Sequence, residues 1–119
     1  MSEVKPILWI GSSRKDVQAF PIGVRREIGH ALYAAQCGVI DPSAKPLKGF
    51  GGASVLEIVT NHRGDTWRSV YTVRFGDTVY VLHVFQKKSK SGIATPKREL
   101  DLICQRLAGA ERDYRGKHN

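Results

Sequence analysis

Along the first forty residues the apolar positions change from a run to a helical spacing. Lys5 to Ile10 (KPILWI) is a short apolar stretch of strand length, broken by Gly11-Ser12-Ser13. Ser13 with Asp16 three residues on is a capping-box-like start and predicts a short helix over Arg14–Phe20. Pro21 fits the first turn of a second helix, in which Val24, Ile28, Ala31, Leu32 and Ala35 recur on one face and Gly38 is a natural end. Asp41 to Gly52 is loop by its Pro, Gly and Ser content. Val55–Thr60 then reads as a strand and Asn61–Asp65 as a polar turn. Trp67–Phe75 and Val79–Phe85, rich in β-branched and aromatic residues, form a predicted hairpin. Gly76-Asp77 between them suits a two-residue type II′ turn. Thr95-Pro96 starts a last helix with an apolar stripe of Leu100, Ile103, Cys104 and Leu107, ended by Gly109. The fold class is α+β: an N-terminal strand and two helices packed on an antiparallel sheet, with a C-terminal helix. Residues 1–119 form one domain, its core about residues 5–109, with a polar, flexible tail over 110–119.

The hairpin fixes which side chains share a face. If Phe75 pairs with Thr78, then Tyr71 faces Leu82, Val73 faces Tyr80, Val70 faces His83 and Arg68 faces Phe85. Alternation puts Trp67, Tyr71, Val73, Tyr80, Leu82 and Val84 on one almost wholly apolar face, which should meet the helices. The opposite face carries Arg68, Arg74, His83 and Lys87, interleaved with Val70, Val81 and Phe85. Cations, a histidine and an aromatic on one sheet face suit contact with RNA. The same pattern is produced by solvated edge cations and a hydrogen-bonded structural histidine, so periodicity leaves both readings open.

Charge narrows the partners. The formal net charge is +8, and from Lys45 to Arg98 ten Lys/Arg stand against three acids, Glu57, Asp65 and Asp77. Lys87, Lys88 and Lys90 follow the hairpin with no acid until Glu99. Such an excess favours polyanions. No apolar window is long enough to span a membrane and no secretory signal is legible, so no membrane partner is expected. Two cysteines, Cys37 and Cys104, make no disulfide framework, which points to the cytoplasm. His30, His62, His83 and His118 lack metal-ligand spacing, and no dinucleotide or phosphate-loop motif is present. Neither metal nor cofactor is expected.

What remains is metal-free chemistry by cations. Cleaving RNA through its own 2′-hydroxyl needs a proton acceptor, charge stabilisation on the phosphorane and a proton donor to the 5′-oxygen. Arg and Lys side chains can supply the second. His83, or one of the adjacent lysines with its pKa depressed by the other, is a candidate for the proton transfers. Glu57, Asp65 and Asp77 are too isolated to suggest a metal-dependent nuclease. On this reading removing Arg68, or Lys87 with Lys88, abolishes activity and leaves thermal stability nearly unchanged.

Several segments resemble a known family. Pro46-Leu47-Lys48-Gly49, Leu56-Glu57-Ile58, Trp67-Arg68-Ser69-Val70-Tyr71 and above all Val81-Leu82-His83-Val84-Phe85-Gln86-Lys87-Lys88-Ser89, continued by Thr95-Pro96, are similar to the RelE/ParE toxin superfamily and its HigB-like, phage-derived branch. The resemblance covers about residues 45–107. It implies a small RelE-like domain and the toxin of a type II toxin–antitoxin module, a metal-independent, ribosome-dependent mRNA endonuclease. Its implied partners are a cognate antitoxin (HigA-like, with a helix-turn-helix), the ribosome and mRNA. By that likeness Arg68 contacts the scissile phosphate, Lys87 and Lys88 neutralise transition-state charge, and Lys48 holds the RNA or ribosome backbone, with Arg74 and Lys90 adding to the RNA-binding surface. Two departures stand out: the strand that is basic in typical members reads Leu56-Glu57-Ile58-Val59, and a terminal tyrosine has no clear match, since Tyr114 lies beyond the expected helix. The superfamily also holds gyrase-directed ParE toxins, which leaves a non-enzymatic gyrase binder, or a degenerate phage-derived protein binding RNA or antitoxin, as alternatives.

Overall fold

The computed structural model describes residues 4–87 and 95–118. The elements run β1 (Ile7–Trp9), α1 (Ser13–Gln18), α2 (Ile22–Gln36), β2 (Ala44–Pro46), β3 (Val55–His62), β4 (Asp65–Thr72), β5 (Val79–Lys87) and α3 (Lys97–Lys117). The sheet has the order β1-β5-β4-β3-β2, antiparallel throughout except that β1 runs parallel to β5. The expected α+β architecture holds.

Both faces of the sheet are covered. Val24, Ile28, Ala31, Leu32 and Ala35 of α2 pack with Leu56, Ile58, Tyr71, Val79, Val81 and Val84. On the other face Ile103 and Ala110 of α3 pack with Val55, Val70, Tyr80 and Leu82. A strand buried on both sides loses the apolar–polar alternation, and β5 (VYVLHVFQK) is buried at seven of its nine positions.

The hairpin register is half as expected. Arg68 faces Phe85 and Val70 faces His83, but Tyr71 pairs with Val81 and Thr72 with Tyr80. The slip at Val70/Tyr71 is a β-bulge that leaves Leu82 without an opposite residue. Tyr80 and Leu82 therefore leave the face of Trp67 and Tyr71 and join α3, while Val81 takes the opposite move. The Gly76-Asp77 turn closes through the Thr78 N–H donating to the Phe75 carbonyl at 2.9 Å, but ladder pairing ends at Thr72 and Tyr80. Gly76 is not among the residues with positive φ, so the turn is not type II′. The tight two-residue hairpin lies instead between β3 and β4, where Arg63 (φ 50°) and Gly64 (φ 86°) take the paired left-handed conformations of a type I′ turn.

Three further boundaries differ. Ala44–Pro46, expected as loop, is an edge strand in which Pro46 is tolerated. Ser13 does not cap α1; it is buried within it and donates to the Val81 carbonyl. The last helix passes through Gly109 to Lys117, where Tyr114 stacks on Phe75 at 5.4 Å, so the segment after Gly109 is helical.

Candidate active site

Four neighbouring strands each contribute one side chain to a charged row on the α3 side of the sheet. Lys45 of β2 stands opposite Glu57 of β3. Glu57 pairs with Val70, so Arg68 of β4 is its diagonal neighbour; Lys87 pairs with Thr66 and is diagonal to Arg68 in turn. The Lys45, Glu57 and Arg68 part of this row opens into a cavity of about 330 Å³, lined also by Leu47, Lys48 and Thr95. One wall is apolar, from Leu47 and Leu100.

Arg68 is not a surface cation. It is buried, and its Nη1 donates to Glu57 Oε1 at 2.7 Å, with 10% and 11% of the two side chains exposed. Thr95 donates through Oγ1 to Glu57 Oε2 at 3.2 Å rather than capping α3, whose N-cap is Pro96. Lys87 is 8% exposed, and its Nζ has no hydrogen-bond partner among the described residues. Burial, reinforced by the nearby Arg68 charge and opposed by Glu57, lowers its pKa from the ordinary 10.5.

The other sequence candidates divide. Lys48 lines the cavity and is exposed, as is Lys45. His83 lies on the same face but is committed at both ring nitrogens: Nε2 meets Glu99 Oε2 at 3.0 Å, and Nδ1 meets Arg106 Nη1 at 3.2 Å. A guanidinium only donates, so Nδ1 accepts and Nε2–H donates to the carboxylate. The ring also stacks on Phe85 at 5.0 Å. His83 thus fastens α3 to β5, helped by Arg106, which also donates to the Leu82 carbonyl and Ser12 Oγ. Arg74 is not brought to the row. It lies past the end of β4 and braces the neighbouring loop through Ser54 Oγ and the Phe50 carbonyl, both at 3.1 Å. Lys88 and Lys90 fall outside the described residues.

The residue that sequence reasoning discounted is Glu57. It looked isolated because its partner lies eleven positions away. The signal that would have found it is the Arg63-Gly64 turn, since counting back from that turn sets Glu57 diagonally beside Arg68. A carboxylate and a guanidinium lining a partly desolvated cavity, with a pKa-depressed ammonium on the next strand, form an arrangement that can bind a phosphodiester and move protons around it.

The family pattern described as "Phage derived protein Gp49-like (DUF891)" matches residues 15–108. No curated protein sequence matches the chain. Among solved structures, a mutant of the Escherichia coli toxin RelE in the free state is similar over 68% of this chain and 81% of its own, at 18% identity and a TM-score of 0.51. The toxin–antitoxin complex RelBE2 of Mycobacterium tuberculosis matches 75% of this chain and 98% of that chain, at 17% identity and a TM-score of 0.48. At such identities the likeness is one of fold. With the Gp49-like pattern running through residues 15–108, on a fold similar to that of RelE, the chain belongs to the phage-derived Gp49-like family.

Proposed function

We propose that this protein is the toxin of a type II toxin–antitoxin module and cleaves mRNA on the ribosome, in the cytoplasm, until a cognate HigA-like antitoxin neutralises it. The observation that carries the reading is the row Glu57–Arg68–Lys87, an acid followed by two cations on three adjacent strands, of which Glu57 and Arg68 line an open cavity. Arg68 and Lys87 hold the scissile phosphate and stabilise the charge that builds on its oxygens. Glu57 takes the 2′-hydroxyl proton as the 2′-oxygen–phosphorus bond forms. Lys87 gives a proton to the 5′-oxygen as the phosphorus–5′-oxygen bond breaks, and a lowered pKa makes its ammonium a better acid near neutrality. The products are a 2′,3′-cyclic phosphate and a free 5′-hydroxyl. Lys45 and Lys48, which line the cavity, hold the RNA backbone. His83 takes a positioning role, holding α3 against β5.

The test is induced expression in a bacterial host with mapping of mRNA 5′ ends. Growth arrest with cuts inside translated codons, abolished by Lys87→Met, supports the reading. Arrest with intact mRNA and DNA damage refutes it and favours a gyrase-directed toxin. No arrest favours a degenerate protein.

A further inference from the structure

Arg68 is the group best suited to grip a phosphate in this cavity, yet it already grips an anion. The Glu57 carboxylate is held at both oxygens by two segments distant in sequence: Arg68 Nη1 on β4 at 2.7 Å, and Thr95 Oγ1, just ahead of α3, at 3.2 Å. Lys45 stands opposite Glu57 across β2–β3, Lys48 lines the same cavity, and Lys87 lies close enough to feel its charge. A carboxylate and a phosphodiester offer a guanidinium the same feature, two oxygens sharing one negative charge. Two anions cannot share one guanidinium inside a partly desolvated cavity without strong repulsion.

We infer that Glu57 is an internal stand-in for the RNA phosphodiester: it occupies Arg68 in the free protein, Thr95 holds it there, and RNA binding exchanges it off the guanidinium. The inference rests on reading the cavity as a phosphate site. The exchange has two consequences. It masks the strongest phosphate-binding group of a chain carrying a net charge of +8, which would otherwise hold any RNA it met. It also frees a carboxylate directly beside the incoming phosphate, where the 2′-hydroxyl proton must go. Binding and the supply of a proton acceptor thereby become one event.

The experiment is a titration of the purified protein at fixed ionic strength. The probes are inorganic phosphate and a single-stranded RNA 2′-O-methylated throughout, which cannot be cut. Wild type is compared with Glu57→Gln, Thr95→Val and Asp65→Asn. The last makes the same charge change as Glu57→Gln at an exposed position at the start of β4. Glu57→Gln is expected to bind both probes at least about tenfold more tightly, and Asp65→Asn less than about twofold. Thr95→Val, which leaves the net charge unchanged, is expected to tighten binding about threefold by loosening the carboxylate. If Glu57→Gln proves poorly folded, Thr95→Val decides the question by itself. Equal affinities for Thr95→Val and wild type overturn the inference. So does a Glu57→Gln protein binding no more tightly than Asp65→Asn, or the absence of phosphate binding by every variant. In those cases codon-internal cleavage by the wild type would still support the ribonuclease reading, so the two are separable.

Discussion

Replacing Arg68 by alanine removes one member of an ion pair that is about nine-tenths buried at both ends, with 10% and 11% of the side chains exposed. Screening by solvent is slight there, and the surviving Glu57 keeps the Thr95 hydroxyl but loses the cation bonded to it. Breaking a buried pair by removing one partner costs roughly 3–5 kcal/mol, because the remaining charge is left in a poorly polarisable place. For a domain of this size about 4 °C of melting temperature is lost per kcal/mol, so Arg68→Ala is expected to melt about 12–20 °C lower than wild type. Arg68→Met with Glu57→Leu removes both charges and is expected to regain most of that loss, to within about 1–2 kcal/mol. Thermal and urea denaturation of Arg68→Met, Glu57→Leu and the double, run as a cycle with wild type, give the coupling directly. An Arg68→Ala protein melting within about 3 °C of wild type would refute the argument. The result bears on function as well. Loss of activity in Arg68→Ala cannot be assigned to chemistry alone, contrary to the expectation that removing Arg68 leaves thermal stability nearly unchanged.

Lys87→Met is the cleaner functional probe. Its ammonium is buried with no hydrogen-bond partner among the described residues, so the substitution is expected to stabilise the fold by about 1–2 kcal/mol while lowering cleavage at least about 100-fold. The pH dependence has a definite sign. Because the folded-state pKa lies below 10.5, the unfolded chain binds more protons between the two values, and wild-type stability rises with pH through that window relative to Lys87→Met; parallel urea midpoints over this range would contradict it. Gly11→Ala tests the clamp on α3. Gly11 has φ +58°, and a methyl there would lie 2.9 Å from Arg106 Cζ, displacing the guanidinium that bonds the Leu82 carbonyl and His83. A loss of about 2–3 kcal/mol is expected, falling to about 1 kcal/mol in an Arg106→Ala background where only the backbone strain remains; an unchanged penalty in that background would refute the clamp.

Much of the fold was legible because the apolar spacing of α2 and α3 and the β-branched runs of β3 to β5 agree with what those segments bury. The site was legible in part. Arg68, Phe85 and Lys87 were placed on one face because pairing is regular from Thr66 to Val70. Arg74 was misplaced because alternation was carried past Thr72, where the strand stops. Tyr80 and Leu82 were assigned to the wrong face because the bulge has no Gly or Pro to mark it, and a strand buried on both sides has no polar face to betray a slip. His83 shows a limit of another kind. Its type and face were predicted, but whether its nitrogens were free depended on Glu99 and Arg106, sixteen and twenty-three residues away on a helix whose rotation no periodicity fixes to that accuracy.

The bulge that defeated the register is also what separates the two jobs of the β4–β5 pair. On the turn side of Val70 the strands are shifted by one residue, which turns Tyr80 and Leu82 toward Ile103 and Ala110 and lets α3 bury an apolar surface on the sheet. On the other side the unshifted pairing keeps His83, Phe85 and Lys87 on that same face, beside Arg68. Without the extra residue, one half would have to give way: either the α3 face would lose Tyr80 and Leu82 to the α2 side, or Lys87 would turn away from Arg68. A continuous strand can thus be core at one end and site at the other. His83, next to the bulge, is where the two halves meet, and its bonds to Glu99 and Arg106 hold α3 beside the cavity at the point where the apolar packing ends. The charged row is therefore held rigid by packing that it does not itself contribute, which is how buried cations can persist beside an open cavity.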